Sequence, residues 1–309
     1  MSLPTYSMNL PWIDSPFFYQ ELEQSTLDST TKEQIKHYAE RGYLILDTEL
    51  PESTFDRIVE ILAPHYTSPR LQDAWNITPL VKDIAGCPKV LDMLNILYRR
   101  TPFPFQTLNF RVGSQQKTHS DAIHFHSVPE RFMCGVWVAL EDIDETNGPL
   151  HYYPGSHKLP FYNMSDISLS GSKAPGAYTQ YLEYENFVQK LMEATGQKKE
   201  VFKVKKGQAL IWSATLFHGG EPILREGSSR HSQVTHYFFS DCMYYSPLWS
   251  DMPVEKMFMR RPVNILTGEI VENKYLNEEI MGGTGLSPFT DYRQKIETGL
   301  RKLKRSLAK

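Results

Sequence analysis

His119 and Asp121, separated by Ser120, and His218 far downstream are the residues on which chemistry can be built. In an extended strand, side chains two apart point to the same face. The imidazole and carboxylate of His119-Ser120-Asp121 therefore converge on one point. Two imidazoles and one carboxylate hold non-haem Fe(II) and leave neighbouring positions open. The second imidazole must come from a later strand, and the run GQALIWSATLFHGG, ending around His218, is its setting. The next run, SSRHSQVTHYFF, carries Arg230, twelve residues after His218. Its planar guanidinium fork suits a carboxylate. Arg225 competes for that role, but EPILREGSS reads as a turn that holds it in solvent.

A second histidine pair lies close by. His124-Phe125-His126 followed by Glu130 matches the opening of a cupin metal motif, HxHxxxE. The Gly expected seven residues after the Glu is absent, since Gly135 arrives at five, and no second cupin motif follows. His124 and His126 are accordingly read as pocket-wall residues that touch substrate. A cupin-like metalloenzyme using His124, His126 and His218 is the competing reading; a non-catalytic barrel binding protein is the third. The turn Pro154-Gly155-Ser156-His157 sets a loop through Pro and Gly, and His157 is a further substrate candidate.

These residues need rigid elements behind them. Ser29 or Thr30 can cap a helix over KEQIKHYAERG, with Glu33 as the capping-box acid and Gly42 as its stop. YLILD (43–47) reads as a strand, Pro51 opens a helix to about Leu62, and another helix spans about Lys89 to Tyr98. Residues 1–29 read as an arm laid on the surface. From Phe103 onward the pattern is β: 104–111, 122–126, 132–141, 149–153, 199–204, 208–213 and 232–239, broken by Gly, Pro, Asn and Asp turns. Many short strands of this kind point to a sandwich or jelly roll. Residues 158–198 interrupt them with a loop and a helical piece, YENFVQKLMEATG, placed to act as a lid. After Asp241 the strand pattern fades, 245–289 is irregular, and 290–307 reads as a basic helix with a solvated face.

Composition narrows the class. The chain has 309 residues, 40% of them hydrophobic and 12% aromatic, enough for a sizeable core. A net charge of -3 marks no nucleic-acid binder. Cys87, Cys134 and Cys242 are too few for a disulfide framework or a CxxC metal site. No secretory signal and no run of about 18 apolar residues is visible. A soluble, reducing, cytoplasmic setting is expected, with a small-molecule substrate and neither nucleic acid nor membrane as partner.

NFRVGSQQ, HSD, WVALEDID-x-x-NGPLHYYPGSH, His218 and Arg230 occur in this order. In these stretches the chain resembles the phytanoyl-CoA dioxygenase family of Fe(II)/2-oxoglutarate-dependent oxygenases, over roughly residues 30–240. The resemblance implies a mainly β fold with flanking helices around a double-stranded β-helix (jelly-roll, cupin-like) core. One domain is expected: a helical lead-in at 30–100, the jelly roll at 103–240 with its lid at 158–198, and a C-terminal extension at 241–309. It further implies Fe(II) held by His119, Asp121 and His218, with 2-oxoglutarate and O2 as co-substrates. Oxidation of a C–H bond, with succinate and CO2 as co-products, follows from it. Arg230 would pair with the distal carboxylate of 2-oxoglutarate, and Gln106 and Trp137 would face it; Asn109 is a further polar candidate on the same strand. Family members often place a hydroxyl residue two after the second His, where this chain has Gly220. Related halogenases replace the carboxylate ligand with a small residue, so Asp121 favours hydroxylation or another oxidation over halogenation.

Overall fold

The computed structural model describes residues 8–171 and 178–280. Six helices and thirteen strands alternate along it. Helices α1 (Phe18–Gln24) and α2 (Ser29–Arg41) precede strand β1 (Tyr43–Asp47); α3 (Glu52–Leu62), β2 (Arg70–Gln72), α4 (Leu80–Ala85) and α5 (Pro88–Tyr98) follow. The β region holds β3 (Pro102–Phe110), β4 (His126–Val128), β5 (Met133–Ala139) and β6 (Leu150–Tyr152). Helix α6 (Tyr178–Thr195) separates these from β7 (Glu200–Phe202), β8 (Gln208–Ser213), β9 (His218–Gly220) and β10 (Ser232–Phe239). Strands β11 (Met243–Tyr245), β12 (Lys274–Tyr275) and β13 (Glu278–Glu279) complete the set.

The principal sheet runs β1-β8-β5-β10-β3-β2, every neighbour antiparallel. A smaller sheet, β7-β6-β9, faces it, and β11 pairs with β4. This is a jelly-roll core with helices on its outer face. The two central strands β5 and β10 are buried along their whole length, because both faces of the sheet are covered. One face packs on Ile35, Tyr38, Phe55, Ile58, Leu94 and Tyr98 of the helices. The other meets the small sheet through Trp137, Leu150, Tyr152, Phe202 and Trp212, and there the site lies.

Local chemistry explains the element ends. Helix α2 is capped by Asp28, whose carboxylate accepts the Thr31 backbone N–H at 2.9 Å, one residue before the expected Ser29 or Thr30. A carboxylate at the helix start also gains from the macrodipole. Gly42 closes the helix at φ 81°, as the left-handed conformation favours. Residues 122–126 are not a strand. Ser120 is extended and opens a short 3-10 turn over Asp121–Ile123, and pairing begins only at His126. The amino-terminal arm is not a surface strap either: Trp12, Phe18 and Leu22 enter the main core. The expected helix at 290–307 lies outside the described residues. Among the described residues no helix is long and apolar enough to cross a membrane.

Candidate metal centre

His119 and His218 are locked to each other through their backbones. Each N–H donates to the other's carbonyl at 2.9 Å, an isolated antiparallel bridge that extends the edge of β9. Their rings are then fixed individually. His119 Nδ1 lies 2.9 Å from the Lys117 carbonyl, and His218 Nδ1 lies 3.0 Å from the Leu216 carbonyl. Carbonyls only accept, so both Nδ1 atoms carry the proton and both Nε2 lone pairs face inward. Burial pushes the His119 pKa down to about 3, with the neighbouring His218 adding to it. His119 is therefore neutral at neutral pH, as a metal ligand must be.

Asp121 completes the group. Its Oδ1 stands 3.8 Å from the Nε2 of both His119 and His218. The extended backbone at Ser120 puts Asp121 on the face of His119, and the 3-10 turn that starts there carries the chain away. Its Oδ2 accepts from Trp212 Nε1 at 2.8 Å and lies 3.5 Å from His236 Nε2. Burial opposes the charge, but His218 and His236 outweigh it and hold the carboxyl well below the usual range. Ligand atoms of His119, Asp121 and His218 all lie within 4.8 Å of one another, and among the described residues no other group of three or more does so. Two imidazoles and one carboxylate, each oriented from behind, fit a non-haem Fe(II) ion.

The cluster opens on a cavity of about 830 Å³ between the sheets. Arg230 lines the same cavity. Its side chain is 1% exposed, yet Nε and Nη1 have no hydrogen-bond partner among the described residues. The guanidinium sits 5.4 Å from the Phe110 ring and 5.6 Å from the Trp137 ring. Burial lowers its pKa to about 10, so it stays cationic. Glu141 is the acid nearest in effect, but its carboxylate is taken by Ser229 Oγ at 2.7 Å and by the His231 backbone N–H. A buried cation without a counter-ion is costly, and an anion in the cavity removes that cost. Arg225, by contrast, is exposed and lies 3.7 Å from Asp144.

The remaining candidates divide. Gln106, Trp137 and His124 line the cavity, and the Trp137 indole N–H is buried without a partner. Asn109 does not join them. Strand alternation turns it to the opposite face, where it donates to Gln233 Oε1 at 3.2 Å while Gln233 donates to the Val81 carbonyl at 3.0 Å. His126 is buried away from the cavity, between Phe161 at 4.6 Å and Tyr245 at 5.6 Å. His157 reaches the Ala39 carbonyl at 3.1 Å and fills the space beside Gly42. It serves the helix–strand junction, not the cavity. His124, His126 and His218 do not converge, which removes the geometric basis of the cupin-like alternative.

Two members escaped the sequence reading. His236 lies on β10 with Ser232 and Val234 at alternate positions, in step with Arg230 just before the strand, so period two from Arg230 could have found it. Its Nδ1 is 3.1 Å from Gln106 Oε1. Ser114 also lines the cavity, and its Oγ lies 2.8 Å from where a Cβ at Gly220 would stand.

A family model described as phytanoyl-CoA dioxygenase (PhyH) matches residues 59–232. "Phytanoyl-CoA dioxygenase domain-containing protein 1" of Danio rerio is 27% identical over 174 residues, covering 55% of this chain and 56% of that protein. "Probable phytanoyl-CoA dioxygenase" of Caenorhabditis elegans is 33% identical over 171 residues, covering 55% and 50%. The chain therefore spans about half the length of these two relatives. Among solved structures, the epimerase SnoN in complex with Fe3+, alpha ketoglutarate and nogalamycin RO superposes with a TM-score of 0.53. It is 17% identical, and the match covers 74% of this chain and 91% of that one, a likeness of fold. With the matched stretch covering more than half of its length, the chain belongs to the phytanoyl-CoA dioxygenase (PhyH) family.

Proposed function

We propose that this chain is an Fe(II)- and 2-oxoglutarate-dependent dioxygenase that oxidises a C–H bond of a small-molecule substrate, with succinate and CO2 as co-products. The observation that carries this reading is Arg230: a buried, unpaired guanidinium in the cavity onto which a two-His, one-Asp cluster opens. His119, Asp121 and His218 would hold the iron. Bound iron supplies O2 activation coupled to decarboxylation of 2-oxoglutarate. Arg230 binds the distal carboxylate of the co-substrate, and Phe110 and Trp137 wall that end against water. Ser114 Oγ, beside Gly220, is a further donor on the cavity wall. The retained carboxylate at 121 supports hydroxylation or another oxidation over halogenation.

Helix α6, in the described part of the insertion at 158–198, acts as the roof. Tyr181 and Glu185 of α6 line the cavity, while Tyr184, Val188 and Met192 anchor the helix on Met164, Phe217 and Leu248. Cys87, Cys134 and Cys242 are free and buried, in keeping with a reducing, cytoplasmic setting. The test is a screen of anaerobically Fe(II)-loaded protein for succinate release on addition of O2, 2-oxoglutarate and candidate small molecules. Substrate-stimulated succinate release supports the reading. Absence of 2-oxoglutarate binding to the iron-loaded protein sinks it.

A further inference from the structure

The cavity holds a second guanidinium. Arg260 comes from the segment after the jelly roll, beyond the stretch shared with the family (59–232). Its backbone is pinned: the N–H donates to the Tyr244 carbonyl at 2.7 Å, and its carbonyl accepts from Asn273 Nδ2 at 2.9 Å. The side chain turns into the cavity and lies 4.6 Å above the Phe125 ring. Nη1 donates to Ser246 Oγ at 2.9 Å, and Ser246 Oγ is fixed by donating to the His124 carbonyl at 2.6 Å. This is the one donor of Arg260's side chain engaged among the described residues, where a guanidinium offers five. No carboxylate among them lies within ion-pair distance of it. Burial lowers its pKa to about 10, so the charge remains.

Arg230 and Arg260 cannot share one small anion. Arg230 stands just before β10, and His236 lies six residues further on. At roughly 3.3 Å per residue the two backbones are about 20 Å apart. His236 touches Phe125, ring to ring at 5.1 Å, and Arg260 lies over Phe125 and 6.0 Å from Phe105, whereas Arg230 lies by Phe110, five residues further along β3. The Asp121 cluster lies beside His236. Arg70 and Lys117 also line the cavity, with Asp121 and Glu185 as its acids, and Asp73 is the acid nearest in effect to Arg260.

We propose that Arg260 is the specificity-determining residue for the primary substrate and binds an oxyanion, a carboxylate or a phosphoryl group, that the substrate carries away from its reacting carbon. This inference rests on the oxygenase reading, in which Arg230 is occupied by 2-oxoglutarate. A rigid, half-buried fork held over a ring is organised for such a group.

The experiment uses full-length protein loaded with Fe(II) and saturating 2-oxoglutarate without O2. Matched pairs are titrated by calorimetry: carboxylic acids against their primary amides, and phosphate monoesters against their parent alcohols. With Arg230 filled, an acid or a phosphate ester is expected to bind roughly ten- to a hundredfold tighter than its neutral partner. Which series shows the preference identifies the oxyanion. Arg260→Gln is expected to erase the preference and Arg260→Lys to keep part of it, while both variants still bind 2-oxoglutarate. The subsite is overturned if no charged member is preferred by the wild type, or if the preference survives in Arg260→Gln. Failure of 2-oxoglutarate itself to bind is a different result and overturns the oxygenase reading.

Discussion

Trp212 donates its indole N–H to Asp121 Oδ2 at 2.8 Å, and the space for that indole exists because residue 135 has no side chain. A Cβ at Gly135 would stand 2.3 Å from Trp212 Cε2. The carboxylate is thus aimed from the neighbouring strand, and Gly135 on β5 is part of the aim. Trp212→Phe removes the donor, and Gly135→Ala displaces the ring. Partners that orient metal ligands are typically worth ten- to a hundredfold in metal affinity. Anaerobic equilibrium dialysis of Fe(II) is expected to show a loss in that range for both variants. Wild-type iron affinity in both would remove Trp212 from the support of Asp121.

Metal binding can be read without turnover. A ligand that binds only the folded state at a hundred times its Kd stabilises it by about 2.7 kcal/mol. Fe(II), or redox-inert Zn(II) in its place, is therefore expected to raise the Tm of the wild type. His119→Ala, Asp121→Ala and His218→Ala are each expected to lose that rise and all iron-dependent turnover while melting cooperatively without metal. His124→Ala, on the cavity wall, is expected to change substrate affinity and leave the metal-induced rise in place. A full rise in any one of the three ligand variants would contradict its assignment.

The sequence carried this centre unevenly, for physical reasons. Period two between His119 and Asp121 was legible because Ser120 is extended, and the return of His218 was legible from the strand pattern around it. The rim of the cavity was less so. Asn109 and His126 are polar residues with core environments, and polarity alone does not distinguish a cavity wall from the far face of a strand. Asp28 took the cap from Ser29 through a carboxylate contact that sequence leaves degenerate. Trp212, Gly135 and Ser114 act across strands or loops, through contacts that no local spacing encodes. Arg260 belongs to a segment without periodic pattern, pinned by single hydrogen bonds to Tyr244 and Asn273.

His126 gives the fold an acid sensitivity of its own. Both its ring nitrogens are buried without a partner, and burial, helped by Arg131, pushes its pKa down to about 3. The unfolded chain takes up this proton near pH 6.5, whereas the folded chain resists it until about pH 3. The unfolded state therefore binds more protons across that window. Stability is complete above pH 6.5 and declines as pH falls, by up to about 1.4 kcal/mol per pH unit for this one group. His126→Phe keeps a ring between Phe161 and Tyr245 and removes the titration. Urea unfolding between pH 7 and pH 4 is expected to show a shallower pH slope for the variant. His157, depressed to about 4 by burial, supplies a residual slope in both proteins. Parallel slopes would show that His126 does not resist protonation in the folded state.

Arg230 is the sharpest test of the co-substrate. Its guanidinium is 1% exposed with Nε and Nη1 unpaired among the described residues, so a carboxylate that binds there gains two charge-assisted hydrogen bonds in a site shielded from water. Truncating one partner of a buried ion pair costs about 3–5 kcal/mol. Arg230→Ala is therefore expected to weaken 2-oxoglutarate binding by roughly two to three orders of magnitude. Arg230→Lys keeps the charge and loses the fork, and falls between. Ser114→Ala removes a single hydroxyl, a hydrogen bond to a charged group worth about 1.5–3 kcal/mol, so its loss is expected at roughly ten- to a hundredfold. Iron affinity is expected to hold in all three, since no ligand to it is touched. Titration of 2-oxoglutarate into anaerobic Fe(II) protein, followed by the metal-to-ligand charge-transfer absorbance, reads these midpoints directly. An unmoved midpoint in Arg230→Ala would pass the role to Arg225, which is exposed and already near Asp144. Unmoved midpoints in both Arg230→Ala and Arg225→Ala would leave the distal carboxylate with neither arginine as its partner, and the 2-oxoglutarate assignment would fall.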